Sequence, residues 1–205
     1  MPNKQFFADY PQCGDMLHCT IILDTINFCK EINKATALDQ EVVEYLESFI
    51  NVENCDVERI RKLECLTNAK TDVSTLTAAQ LLRKDVKVFG DILVPSFPIL
   101  VKDFFQKDNV EVDLLNTLEQ RNCGTAVLLG MDLGVGRTRD VAIYAKETEV
   151  ADQLATFLER WKESSFQLTR APPTPPAQYY FKQNNMNATR KLYIPAFNEF
   201  MKNRP

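Results

Sequence analysis

Ala126-Val127-Leu128-Leu129-Gly130-Met131, then Asp132 to Arg139, then Val141-Ala142-Ile143-Tyr144-Ala145-Lys146: this stretch decides the fold. Its first part is a continuous apolar run, the pattern of a strand covered on both faces. The second part has the same character. Between them, Asp132-Leu133-Gly134-Val135-Gly136-Arg137-Thr138-Arg139 carries a Gly-x-Gly, which a phosphate loop would place between a strand and a helix N-terminus. Here the chain goes on to a second strand, so the spacing predicts a hairpin connection.

Working outward, Thr77 caps a short helix over Ala78–Asp85 that runs into Val86–Phe89. Ile92–Phe97 reads as a strand that Pro95 puts at an edge or a bulge. Helices are expected over Ile99–Lys107 and Val110–Gln120. Downstream, Thr148 caps a helix over Glu149–Glu163, with Val150, Leu154, Phe157, Leu158 and Trp161 at core spacing. Ala171-Pro172-Pro173-Thr174-Pro175-Pro176 must be extended, because consecutive prolines fix φ and remove donors; it reads as a connecting loop or as an SH3-type ligand. Tyr179-Tyr180-Phe181 is a short strand. Leu192, Pro195, Ala196, Phe197, Phe200 and Met201 mark a closing helix, with Pro195 at its first turn or kinking it. The expected fold class is α/β, a mixed sheet of about five strands with flanking helices.

The first third reads differently. Met1–Gly14 shows no period and is expected as an irregular lead-in. Asp15–Phe28 is apolar on nearly all sides, which suits a helix inside a larger structure, and a second chain covering the helix around Leu17–Leu23 would satisfy it. Asp24 ends this run; its carboxylate calls for a cation or donors, or caps the next turn, and the spacing leaves both open. Val42, Val43, Leu46, Phe49 and Ile50 lie on an amphipathic helix that starts at Leu38 or Asp39. A second helix, Asp56 to Lys70, has Val57, Ile60, Leu63, Cys65 and Leu66 as its buried positions, with Cys55 or Asp56 as its cap. Thr71–Thr75 is a polar break. The expected organisation is a helical part over 1–70, a linker over 71–76 and an α/β domain over 77–205.

Composition narrows the function. The chain has 205 residues, 45% hydrophobic and 25% charged, the make-up of a globular protein. No apolar run approaches the roughly 18–20 residues of a membrane span, and no secretory signal is read. Six cysteines without a Cys-x-x-Cys pair and a single histidine argue against a zinc site and fit reduced thiols, hence a cytoplasmic expectation. A net charge of −4 gives no general attraction to nucleic acid, so any anion site is local. One candidate is Asn184-Asn185-Met186-Asn187-Ala188-Thr189-Arg190-Lys191, where donors freed at an element start would sit beside two cations. A solvated basic pair on a terminal helix is the plainer reading.

Three stretches carry a family resemblance. Ser74-Thr75-Leu76-Thr77-Ala78-Ala79-Gln80-Leu81-Leu82-Arg83-Lys84-Asp85-Val86-Lys87 resembles the start of the C-terminal substrate domain of the DHH phosphoesterase superfamily, in the branch of Prune, cytosolic exopolyphosphatases and family II inorganic pyrophosphatases. Asn187-Ala188-Thr189-Arg190-Lys191, then Pro195, is similar to that domain's terminal Ser-Arg-Lys-Lys signature. Thr20-Ile21-Ile22-Leu23-Asp24-Thr25-Ile26-Asn27-Phe28 with Lys34-Ala35-Thr36 resembles the end of the catalytic domain. The resemblance implies hydrolysis of phosphoanhydrides such as polyphosphate or pyrophosphate with manganese or magnesium. It makes Asp24 the last metal-binding aspartate, and Lys87, Arg190 and Lys191 the cations that grip phosphate. The Asp-His-His motif and the earlier metal ligands have no counterpart in this sequence. The helical part over 1–70 then reads as a remnant of the catalytic domain. Two functions follow as expectations: a phosphohydrolase whose metal centre is completed by other residues, or a non-catalytic module that binds polyphosphate or a partner. A degenerate paralogue that merely folds is the third reading.

Overall fold

The computed structural model describes residues 4–31, 33–49, 54–132, 138–162 and 164–203. The chain divides into a helical unit, Met1–Asp72, and a sheet unit, Val73–Pro205.

The helical unit holds α1 (Lys4–Asp9), α2 (Pro11–Thr25), α3 (Ala37–Glu47) and α4 (Cys55–Thr71). The expected irregular lead-in is therefore helical: Pro11 opens α2 in its first turn, where a missing amide costs nothing. Only a stripe of α2 is buried, through Gly14, His18, Ile22 and Thr25 at helical spacing, while Met16 and Leu17 are exposed. Thr36 caps α3 by accepting from Asp39 N at 3.2 Å, and Asp39 accepts from Thr36 N at 2.8 Å, a reciprocal capping box. Ile50, expected on this helix, lies outside the described residues. Helix α4 overturns its expected burial: Val57, Ile60 and Cys65 are exposed, and the buried position is Lys62, whose ammonium pairs with Asp15. Its cap is Asn54, one residue before the expected Cys55.

His18 and Glu47 tie α2 to α3 at 2.9 Å, and Arg59 forks onto the same carboxylate from α4. Burial works against the charge on Glu47, yet the hydrogen bonds from Arg59 and His18 prevail and hold its pKa below the ordinary carboxylate value. A carboxylate depressed by folding stabilises above its unfolded pKa and loses that contribution as pH falls through its folded pKa. The helical unit is thus expected to melt at a lower temperature at about pH 3 than at about pH 6, with Glu47→Gln removing part of the difference. Thermal circular dichroism reads this, and an unchanged pH dependence in the variant would refute it.

The sheet unit contains α5 (Ala78–Lys84), β1 (Val86–Phe89), β2 (Ile92–Phe97), α6 (Val101–Phe104), α7 (Val110–Gln120), β3 (Thr125–Asp132), β4 (Thr138–Ala145), α8 (Thr148–Arg160), β5 (Leu168–Ala171), β6 (Tyr179–Gln183) and α9 (Arg190–Asn203). The six strands run in the order β1-β2-β3-β4-β6-β5, with β2 and β3 parallel and the other neighbours antiparallel. The fold is α/β, and β3 lies inside the sheet. Strands β3 and β4 pair antiparallel over their full length, from Thr125↔Ala145 to Asp132↔Thr138. Gly134 to Gly136, expected as a hairpin connection, lie outside the described residues, as does Glu163 at the expected end of α8.

Alternation along the strands supplies two cores. Val94, Val127, Leu129, Val141 and Ile143 pack with α8 and α9, while Leu93, Phe97, Ala126, Leu128 and Ala142 pack with α5, α6 and α7. Strand β2 is internal and not an edge. Ser96 N donates to Asp85 O on the β1 side, so the amide that Pro95 lacks would face β3, and the β2–β3 register skips Val94 and Pro95 there. The helix expected over Ile99–Lys107 shrinks to the four residues of α6. Thr148 is the first residue of α8, and Glu147 precedes it without a side-chain cap. Pro195 sits inside α9, which therefore lacks the amide that would bond the Lys191 carbonyl.

Candidate functional site

The start of α9 is built by the residues before it. Gln183, at the end of β6, is buried; its Nε2 donates to Asn185 O and Ala188 O, both at 2.8 Å, and its Oε1 accepts from Tyr193 OH at 2.7 Å. Asn184 Nδ2 donates to Gln167 O and Thr169 Oγ1, and Asn185 Nδ2 donates to Ser165 O. Arg139 Nε donates to Met186 O at 3.0 Å. The asparagine side chains thus fasten this loop to its neighbours. Tyr193 is fully buried, stacked on Phe166 with centroids 3.9 Å apart, and burial pushes its pKa far up, so it stays a neutral donor.

Arg190 points into the unit. Its Nη1 donates to Asp85 O at 3.0 Å, to Ser96 Oγ at 3.3 Å and to Val94 O at 3.4 Å, and its Nη2 meets Asp85 Oδ1 at 2.7 Å. Asp85 closes α5 and leads into β1, and Val94 is the register partner of Lys87. One guanidinium therefore ties the first turn of α9 to the β1–β2 pair. The planar fork of arginine suits this task, since its two terminal nitrogens reach Asp85 and the β2 acceptors Val94 and Ser96 in one rigid geometry. The consequence is that Arg190, Lys191 and Lys87 share one end of the sheet. Lys87 and Lys191 are both exposed there.

Of the expected site residues, Arg190 is fixed by its contacts to Asp85, Val94 and Ser96, Lys191 follows it on α9, and Lys87 lies on β1 as the register partner of Val94. Asp24 belongs to the helical unit, where its exposed carboxylate pairs with the exposed ammonium of Lys34 at 3.2 Å. Among the described residues no group of three or more His, Cys, Asp or Glu side chains could hold a metal ion. Asp24 with a lysine beside it does not amount to the several oxygen ligands that manganese or magnesium requires. Among the described residues no helix is long and apolar enough to cross a membrane.

Sequence reading missed the residues that organise the site. Asp85 and Ser96 lie about a hundred positions from Arg190 and carry no local sign of pairing with it. Asp140, 2% exposed, was likewise passed over. It accepts from Val101 N at 2.8 Å, Lys102 N at 3.2 Å and Tyr180 OH at 2.9 Å, and fixes α6 against β4 and β6. Burial pushes its pKa up against the pull of these donors. Gly130, its register partner on β3, makes room for this: a β-carbon there would lie 2.5 Å from Val101 N and closer still to Asp140 Oδ1. The only sequence sign was a glycine within an apolar strand, which marks close approach.

The DHHA2 domain family matches residues 64–200. The chain is 29% identical to Exopolyphosphatase PRUNE1 of Mus musculus and 29% identical to that of Homo sapiens, in each case over 92% of this chain and 42% of the relative. It thus spans about two fifths of the length of the curated relatives it matches. A solved structure of a Methanococcus jannaschii protein, assigned to the family II inorganic pyrophosphatases, superposes with a TM-score of 0.50 at 16% identity, covering 89% of this chain and 53% of that one. At that identity the likeness concerns the fold alone. With a family match across most of the chain, including the whole sheet and the start of α9, the chain belongs to the DHHA2 domain family, on the branch represented by the PRUNE1 exopolyphosphatases.

Proposed function

We propose that this chain supplies the phosphate-gripping half of a phosphoanhydride hydrolase of the exopolyphosphatase and pyrophosphatase kind. The observation that carries the reading is the Arg190 clamp, which fixes the start of α9, and with it the backbone of Lys191, beside Asp85 and the Lys87 register partner Val94. Two exposed ammonium groups beside a fixed guanidinium suit a chain of phosphates, whose charge falls on several oxygens at once. Arg190 already holds one anion, the Asp85 carboxylate, so an arriving phosphate shares or replaces that contact. Asp85 is 55% exposed and can swing away.

The helical unit, in this reading, is the end of the catalytic domain, and 71–76 links it to the gripping domain at 77–205. Asp24 is then one ligand of a metal centre whose remaining ligands are other residues. The donor set described does not fit manganese or magnesium, and no hydrolytic step is assigned to this chain's own groups.

Calorimetric titration with tripolyphosphate tests the reading. The parent chain is expected to bind, and Lys87→Ala with Lys191→Ala to weaken binding by about two orders of magnitude, in keeping with the loss of two charge-assisted contacts. Unchanged affinity in the double variant would remove the proposed grip. Phosphate release from pyrophosphate and tripolyphosphate with manganese, measured on the same preparations, tells binding from turnover. Turnover by the purified chain would show that it assembles a competent metal centre, and the division into halves would be wrong.

A further inference from the structure

The first turn of α9, which carries Arg190 and Lys191, is weakly supported by the helix itself. Pro195 removes the amide that would bond the Lys191 carbonyl. The buried side chains that pin α9 to the sheet, Tyr193, Ala196, Phe197 and Phe200, all come after Lys191. Packing therefore fixes the body of the helix and leaves its first turn to polar ties. One tie is the Arg190 contact with Asp85, Val94 and Ser96 on the β1–β2 side. The other comes from β6.

Gln183 ends β6 and is 4% exposed. Strand alternation puts it on the α8–α9 face of the sheet, in line with the core residue Phe181 and opposite its register partner Arg139 on β4. Every polar atom of its amide is in use: Oε1 accepts from Tyr193 OH at 2.7 Å, and Nε2 donates to Asn185 O and Ala188 O, both at 2.8 Å. Arg139, on the same face, holds Met186 O through Nε at 3.0 Å. The carbonyls of Asn185, Met186 and Ala188 are thus turned in toward two side chains of the sheet, and Ala188, two residues before Arg190, is itself 1% exposed. A glutamine suits this place because one planar amide both accepts from the α9 hydroxyl and donates to the loop; a carboxylate would only accept and an ammonium would only donate. The Tyr193 hydroxyl selects the orientation, since with Oε1 toward α9 the amide nitrogen faces the loop carbonyls.

Resting on the grip reading, we propose that Gln183, oriented by Tyr193, is the positioning residue of the grip. It touches no phosphate. It fixes the loop 184–189 that leads into the first turn of α9, and so the direction in which that turn holds Lys191, while Arg190 is held separately by Asp85 and β2. Without this tie the loop keeps its Arg139 contact but loses two of its inward bonds and the link to Tyr193, and Lys191 samples directions away from a phosphate chain. Such preorganisation is an affinity effect, because the ordering is complete before the ligand arrives.

A double-mutant cycle read by calorimetric titration with tripolyphosphate, on the full chain well below its melting temperature, tests this. Gln183→Met removes all three bonds with little change of volume and is expected to weaken binding about tenfold. Tyr193→Phe removes one hydroxyl, keeps the ring stacked on Phe166, and should weaken it about threefold. In a Lys191→Ala background each should change the affinity by less than about twofold, because the side chain they aim is gone. A purely structural role would lower the melting temperature and either leave the affinity of the folded protein alone or weaken both backgrounds equally. The proposal is overturned if both variants bind like the parent, or if their losses are the same with and without Lys191. Should Gln183→Met fail to fold, Tyr193→Phe decides by the same comparison. A parent chain that binds no tripolyphosphate removes the grip and this role together; a parent that binds, indifferent to Gln183 and Tyr193, removes this role and leaves the grip standing.

Discussion

Replacing Gly130 by alanine is expected to destabilise the sheet unit by at least about 3 kcal/mol, the sum of an overpacking term of roughly 1–3 kcal/mol and the loss of buried hydrogen bonds at about 1–3 kcal/mol each. The new β-carbon would meet Val101 N at 2.5 Å, Ile99 O at 2.9 Å and Asp140 Oδ1 at a shorter distance still. Two of these three atoms are backbone and have nowhere to go. The third is a carboxylate that holds the first turn of α6 and the Tyr180 hydroxyl, so moving it leaves buried donors unpaired. Gly124→Ala is the control. A β-carbon there would have a single neighbour within reach, Asp91 Oδ2 at 3.4 Å, and a change within about 1 kcal/mol is expected. Urea unfolding of both variants decides the matter; a Gly130→Ala protein as stable as the Gly124→Ala protein would show that Asp140 is not held as described.

The second large effect belongs to Arg190→Ala, which should lose both stability and tripolyphosphate binding. Its guanidinium is mostly buried, with 18% of the side chain exposed, and makes four contacts across about a hundred residues of sequence. Hydrogen bonds from a charged group contribute roughly 1.5–3 kcal/mol, and exposure of Asp85 on the other side argues for the lower end, about 2 kcal/mol after solvent screening. Lys191→Ala, by contrast, should stay within about 0.5 kcal/mol of the parent in stability and lose affinity only. Arg190→Lys should not restore the clamp, because an ammonium cannot fork. Asp85→Asn keeps the backbone acceptor and removes the competing charge, so it should bind tripolyphosphate more tightly. Equal stability for Arg190→Ala and Lys191→Ala would contradict the clamp.

These two residues show where sequence reading stops. The apolar run at Ala126–Met131, the Thr77 capping pattern and the helix over Val110–Gln120 are local signals, and each has its counterpart in β3, α5 and α7. Strand β1 follows α5 directly over Val86–Phe89, the segment into which the expected helix runs, though four residues are too few to show a period. Strand β5 escaped for the same reason. In α4 the apolar residues at helical spacing suggested a buried face, yet Lys62 is the buried side chain, its long stem packed and its ammonium paired with Asp15. The cationic trio could be named from a family resemblance. The inward turn of Arg190 could not, since it depends on acceptors that only the folded sheet brings within reach. Asp140 and Gly130 likewise become partners through strand register, a property of two segments jointly.

The placement of α9 also bears on how the sheet unit matures. Strands β1 and β2 form a local hairpin around Gly90, and β3 and β4 form another, so both can assemble early from neighbouring residues. Ile92 and Val94, however, share their core with Tyr193, Ala196 and Phe197 of α9, and Met201 packs over the Gly90 turn. During synthesis these surfaces stay open to water until residues 190–203 have left the ribosome. The Asp85–Arg190 contact spans about a hundred residues and cannot form before residue 190 has emerged, so a nascent chain halted before it would leave that apolar sheet face uncovered.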